Sequence, residues 1–241
     1  MKGNRQFWLR ALPLGATVIA LFGVALHAAW RHVPDFYDQA LALDPVAAAQ
    51  ASNELLQHAG ALTDDAQRQS TWQALFTAKQ INGWLAVDLP RNHPELLPAQ
   101  FRDPRICLRD RRLWLACRWG QGRLSSVLSV KLDVQMAADG VLAIRVGPVR
   151  AGLLPIPRRG VLDAISQHAA QANVPIRWRR IGADPVAIVR LPPLKGAEAL
   201  YVVRAVELHP NELFVSGQTH SRRRIATARR DEELHSPPRP R

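Results

Sequence analysis

Ser125-Ser126-Val127-Leu128-Ser129-Val130-Lys131-Leu132-Asp133-Val134-Gln135-Met136 is the stretch on which the fold turns. Leu128, Val130, Leu132 and Val134 alternate with Val127, Ser129, Lys131 and Asp133, and a period of two puts the two sets on opposite faces of a strand. Ala138 to Gly140 then turns the chain into a second alternating run, Val141 to Val149. Two such runs joined by a few residues predict an antiparallel pair.

The same period extends in both directions. Upstream, Arg105 to Arg109 and Leu113 to Trp119 form a predicted hairpin around Arg109 to Arg112. If Ile106, Leu108, Leu113 and Leu115 share its buried face, Cys117 lies with them and Cys107 on the other face, which argues against a bridge between the two cysteines. Downstream, Ile176 to Ile181 and Val186 to Leu191 read as strands, and Leu200 to Leu208 with Leu213 to Thr219 as a closing hairpin around His209 to Glu212. One helix interrupts the series. It opens after Pro157, carries Val161, Leu162, Ile165 and Ala169 as an apolar stripe, and closes at Asn173 and Pro175.

Before Pro104 the period is near 3.6. Asp44 followed by Pro45 is a capped helix start, with Gly60 as its expected stop. Thr63 is expected to cap a second helix running through Trp72, Leu75 and Phe76. Thr77 and Gln80 have the spacing of a capping box for a third, carrying Ile81, Trp84 and Leu85 and ending by Pro90. Four prolines between Asp88 and Pro104 predict an extended connector. The expected class is α+β: an N-terminal transmembrane helix, further N-terminal helices, then a long, curved, mostly antiparallel sheet packed on a helix.

The transmembrane assignment rests on Ala11 to Trp30, a run without a formal charge. At about 1.5 Å per residue it matches the roughly 30 Å of hydrocarbon in a bilayer. Lys2, Arg5 and Arg10 precede it, whereas Arg31 is soon followed by Asp35 and Asp38, so the positive-inside bias places the N-terminus in the cytoplasm. The organisation expected is a cytoplasmic N-terminus (1–10), a signal anchor (11–30), an extracytoplasmic domain, periplasmic or extracellular (31–220), and a disordered basic tail (221–241). A cleaved signal peptide is the competing reading, but Leu26 and His27 spoil an A-x-A site around Ala25, Ala28 and Ala29.

The formal charge of +12 suggests a nucleic-acid binder only until it is divided along the chain. Three cations precede the anchor and seven arginines sit in the tail; between them 22 basic residues face 17 acidic ones. That is an ordinary basic domain with charged ends, and no nucleic-acid partner is expected.

No catalytic signature is present. Gly120-Gln121-Gly122 lacks a third glycine, Ser216 has no glycine two residues before it, and the histidines and two cysteines lack metal-ligand spacing. Adjacent Asp64 and Asp65 read as first-turn acids complementing a helix dipole. Neither an enzymatic role nor a cofactor or metal is expected. Asn82, between Ile81 and Gly83, is a poor interior helix former and a good local hydrogen-bonder, suited to satisfying backbone groups where a helix meets the sheet.

Phe76-Thr-Ala-Lys-Gln-Ile-Asn-Gly-Trp-Leu85 resembles the early helix of YpmS-like membrane-anchored proteins, in which an aromatic residue and then an asparagine precede an apolar pair. The later order of alternating strands, the segment Gly152 to Pro157, the helix to Asn173 and a closing hairpin ending Val215-Ser216-Gly217 is also similar, covering most of residues 70–219. The resemblance implies an extracytoplasmic family of unknown function, loosely related to tubular lipid-binding domains in which a strongly bent sheet wraps a helix. Arginine-rich strands and the long basic tail depart from that pattern.

Many apolar strand positions and few helices to cover them point to a non-catalytic domain that holds an apolar or amphipathic ligand such as a lipid. The expected ligand-binding residues are Arg150, Leu153, Leu154 and Ile156 from the proline-broken segment, then Arg158, Arg159, Leu162 and Ile165 from the helix, with Arg158 and Arg159 meeting lipid phosphates. The segment itself reads either as a buried strand edge or as the lining of a groove mouth. The alternative is a scaffold or assembly factor that recruits another envelope protein through a sheet edge or the tail.

Overall fold

Asp44 starts the longest helix as expected, its carboxylate accepting from the backbone N–H groups of Val46 and Ala47 with Pro45 at the first helical position. The computed structural model describes residues 21–120, 122, 125–171, 174, 176–191 and 199–221. Residues 21–31 form α1, followed by α2 (Asp35–Leu41), α3 (Pro45–Arg68), β1 (Thr71–Thr77) and α4 (Ala78–Asn92). A 3-10 turn, Pro94–Leu96, leads to β2 (Phe101–Arg109), β3 (Arg112–Trp119), β4 (Ser126–Ala138), β5 (Val141–Ala151) and the two-residue β6 (Leu154–Pro155). Then come α5 (Arg158–Gln171), β7 (Ile176–Ile181), β8 (Asp184–Arg190), β9 (Ala199–His209) and β10 (Glu212–Ser221).

Four N-terminal expectations are corrected. Gly60 does not stop α3, which runs on to Arg68, and Thr63 bonds back to the Ala59 carbonyl instead of capping a new helix. Thr71 to Phe76 is a strand: β1 pairs with β10 in unbroken register from Thr71 opposite Gln218 to Thr77 opposite Glu212. The partner lies at the far end of the chain, so local spacing could not reveal it. Pro90 sits inside α4, and the expected connector is helix to Asn92, a 3-10 turn and the start of β2. The Thr77–Gln80 capping box is present in both directions.

All strand pairings among the described residues are antiparallel, divided between two sheets instead of one. The first has the order β1-β10-β9; the second runs β2-β3-β4-β5-β8-β7, with β6 on β5. Bulges interrupt β2–β3 after Arg102, β4–β5 after Val130 and Met136, and β9–β10 at Gly217, and such insertions bend a strand. The sheets are tied where Gly140 N–H donates to Val203 and Asn211 N–H to Leu108.

Period-two geometry then decides the packing. Ile106, Leu108, Leu113 and Leu115 face Ala78, Ile81 and Leu85 of α4 and Leu208 and Leu213 of the closing hairpin. On the opposite face Ala116 and Val127 meet Tyr37, Phe36 and Leu41 of α2. Helices α3 and α4 pack closely because Gly83 has no side chain: a Cβ there would lie 2.7 Å from the Ala48 carbonyl oxygen and 2.8 Å from the Ala51 Cβ. Tyr37, fully buried, donates to the Asp103 carbonyl and so fixes α2 on the β2 bulge. Cys107 and Cys117 lie on opposite faces and are free thiols.

Residues 21–28 of α1 are exposed throughout, including Leu21, Phe22, Val24 and Leu26. Among the described residues no helix is long and apolar enough to cross a membrane. Half of the expected anchor, Ala11 to Ala20, lies outside them, as does the basic tail from Arg222.

Candidate apolar binding cavity

The face of the second sheet that carries Leu115 continues past α4 into a cavity of about 620 Å³. Its floor is set by strand register. Leu115 stands opposite Val130, and Val130 opposite Val149; one step along, Cys117 stands opposite Leu128. Its roof is α5, which presents Val161, Ala164, Ile165 and Ala169, and its wall is Leu96, Leu97 and Pro98 before β2 with Phe101 and Pro104 from the first half of that strand. That volume falls in the range of about 300–1,000 Å³ typical of small-molecule sites.

Helix α5 is held by polar contacts at its N-terminal end and near its middle instead of by dense packing. Arg158 makes a 2.8 Å ion pair with Asp184 and donates to the carbonyls of Val146 and Ala183. Further along, Trp178 Nε1 of β7 donates to Ser166 Oγ at 2.7 Å. A helix fastened in this way can roof a space without filling it.

The described lining of the cavity is mostly apolar. Burial pushes the Cys117 thiol up to about 12, so at neutral pH it behaves as a small apolar group. The polar contributors to the lining include Glu95, at the exposed 3-10 turn, and Gln171, the last residue of α5. Among the described residues no group of three His, Cys, Asp or Glu side chains could hold a metal ion.

The residues expected from sequence are dispersed. Ile165 lines the cavity. Leu162, next to it, is half-buried and its carbonyl accepts from Ser166. Arg158 is committed to Asp184, and Arg159 is exposed. Leu154 is half-buried in β6 against Ala151, while the Ile156 N–H donates to Val149. Arg150 and Leu153 line a different depression, on the other face, together with Phe36, Trp114 and Lys131. There Arg109 and Lys131 stand 5.6 and 5.4 Å from the Trp114 ring.

Helix α1 docks nearby, at the start of β4 and the turn that follows β5. Ser126 Oγ donates to the Trp30 carbonyl at 2.6 Å and Leu153 N–H to the Ala29 carbonyl at 2.9 Å. Two carbonyls at the end of α1 are thereby satisfied by the domain. Trp30 and Trp119 rings lie 6.0 Å apart beside this clasp, and Trp119 pairs with Phe101 of the cavity wall.

Sequence reasoning missed the strand floor, Leu115, Cys117, Leu128, Val130 and Val149, although the alternation that places these side chains together was visible. What it lacked was the strand order and the knowledge that α5 stands off this face. Compared with protein-family models, curated proteins and solved structures, the chain matches none.

Proposed function

We propose that this chain is a membrane-anchored, extracytoplasmic, non-catalytic domain that holds an apolar or amphipathic ligand, a lipid, between the second sheet and α5. The observation that carries the reading is the apolar cavity under α5, of about 620 Å³ and floored by Leu115, Leu128, Val130 and Val149. Burying an acyl chain there would stabilise the complex by roughly 25 cal/mol for each Å² of apolar surface removed from water. The anchored arrangement is supported by the uncharged run Ala11 to Trp30 with its flanking cations and by the exposed apolar side chains of residues 21–26. The resemblance of Phe76 to Leu85 to YpmS-like proteins agrees with it.

Native mass spectrometry of the full chain, extracted without detergent exchange into lipid, tests the reading. The expected result is a lipid adduct that disappears in Ala164→Trp, whose indole would occupy the space under α5. Persistent absence of any adduct, with no uptake of a fluorescent fatty acid or fatty alcohol, would refute it.

A further inference from the structure

Resting on the lipid reading above, we propose that the ligand is an uncharged amphiphile with a hydroxyl head group, of the monoacylglycerol kind, and not a fatty acid or an anionic phospholipid. The argument comes from where the charge is. In a chain with 32 basic residues among 241, none of the seventeen described residues lining the cavity is Lys or Arg. At the start of the roof helix, Arg158 is neutralised by Asp184 at 2.8 Å and also donates to the Val146 and Ala183 carbonyls. Arg150 belongs to the depression on the opposite face.

The charged side chain that the described lining does contain has the opposite sign. Glu95 sits at the rim with its side chain 67% exposed and its carboxylate 3.7 Å from His93 Nδ1, leaving lone pairs for a donor. Gln171 offers an amide, both donor and acceptor, at the end of α5. A hydroxyl head group donates a charge-assisted hydrogen bond to Glu95 and exchanges one with Gln171. A carboxylate or phosphate meets like charge at the rim of a low-dielectric space with no cation in the described lining to compensate it, and pays for its own desolvation as well.

The test uses the full chain held in amphipol and a fluorescent probe, N-phenyl-1-naphthylamine, displaced by monopalmitoylglycerol, palmitate or palmitoyl lysophosphatidic acid. Monopalmitoylglycerol is expected to bind about tenfold tighter than either anion, a difference of about 1.4 kcal/mol. Glu95→Gln, at an exposed position, should close most of that gap by improving palmitate while leaving monopalmitoylglycerol within about threefold. Equal or tighter binding of the anions to the unmodified chain would overturn the head-group assignment and leave the cavity reading standing. Failure of all three to displace the probe, or displacement unaffected by Ala164→Trp, would overturn both.

Discussion

The side-chain amide of Asn82 exchanges two hydrogen bonds with the backbone of Ile106, Nδ2 donating to the carbonyl at 2.9 Å and Oδ1 accepting from the N–H at 2.8 Å. Strand β2 is an edge strand of the second sheet among the described residues, so Asn82 does from a helix what a neighbouring strand would do, and both residues are buried. Asn82→Ala leaves an N–H and a C=O without partners and is expected to cost about 2–4 kcal/mol. Chemical denaturation gives the value, and a loss under about 1 kcal/mol would show that water replaces the amide without penalty.

The clasp on α1 depends on Gly152. Its φ is +59°, and a Cβ would overlap the carbonyl oxygens of Ala29 and Trp30. Gly140 has nearly the same conformation, φ +66°, with open space around it. Gly140→Ala should therefore cost only the left-handed backbone term, about 1–2 kcal/mol. Gly152→Ala should cost more and speed hydrogen exchange at the Leu153 amide, which bonds Ala29. Equal costs would mean that α1 shifts freely.

Stability should fall on the alkaline side. Burial, reinforced by the charge of Asp103, raises Tyr37 from 10.0 to about 12, and burial raises Cys117 from 9.0 to about 12. Both groups are neutral when protonated, so above pH 9 the folded state binds more protons than the unfolded one. The stabilising contribution is complete below pH 9 and is lost as pH climbs towards 12. Tyr37→Phe should flatten the upper part of that decline, at a cost of about 1 kcal/mol at neutral pH for the lost bond to Asp103. A stability profile level from pH 8 to 11 would contradict this.

Arg158 is a tether for α5. Arg158→Ala and Asp184→Ala should loosen the helix alike, each costing about 0.5–1 kcal/mol for a partly exposed pair and increasing exchange across α5. If Arg158 instead bound lipid phosphate, releasing it by Asp184→Ala would strengthen binding of palmitoyl lysophosphatidic acid. No such gain is expected.

Local chemistry was readable from the residues wherever the cause lay within a few positions. The Asp44 cap, the Thr77–Gln80 box, the strand alternation from Ile106 to Val149 and the opposed faces of Cys107 and Cys117 each depend on neighbours in sequence. Asn82 was legible as a backbone-satisfying residue, but its partner Ile106 was not. Arg158 is engaged by Asp184, a partner that is set by folding and is not visible in the local sequence.

Composition and periodicity by themselves determined an α+β chain of antiparallel strands with helices leading in. Tertiary structure alone decided that β1 is a strand, that the strands divide into two sheets, and that α5 stands over Leu115, Val130 and Val149 with space beneath it. The physical reason is range. Hydrogen-bond periodicity is a property of adjacent residues, whereas a cavity is made by what distant segments leave unfilled when each has satisfied its own backbone elsewhere.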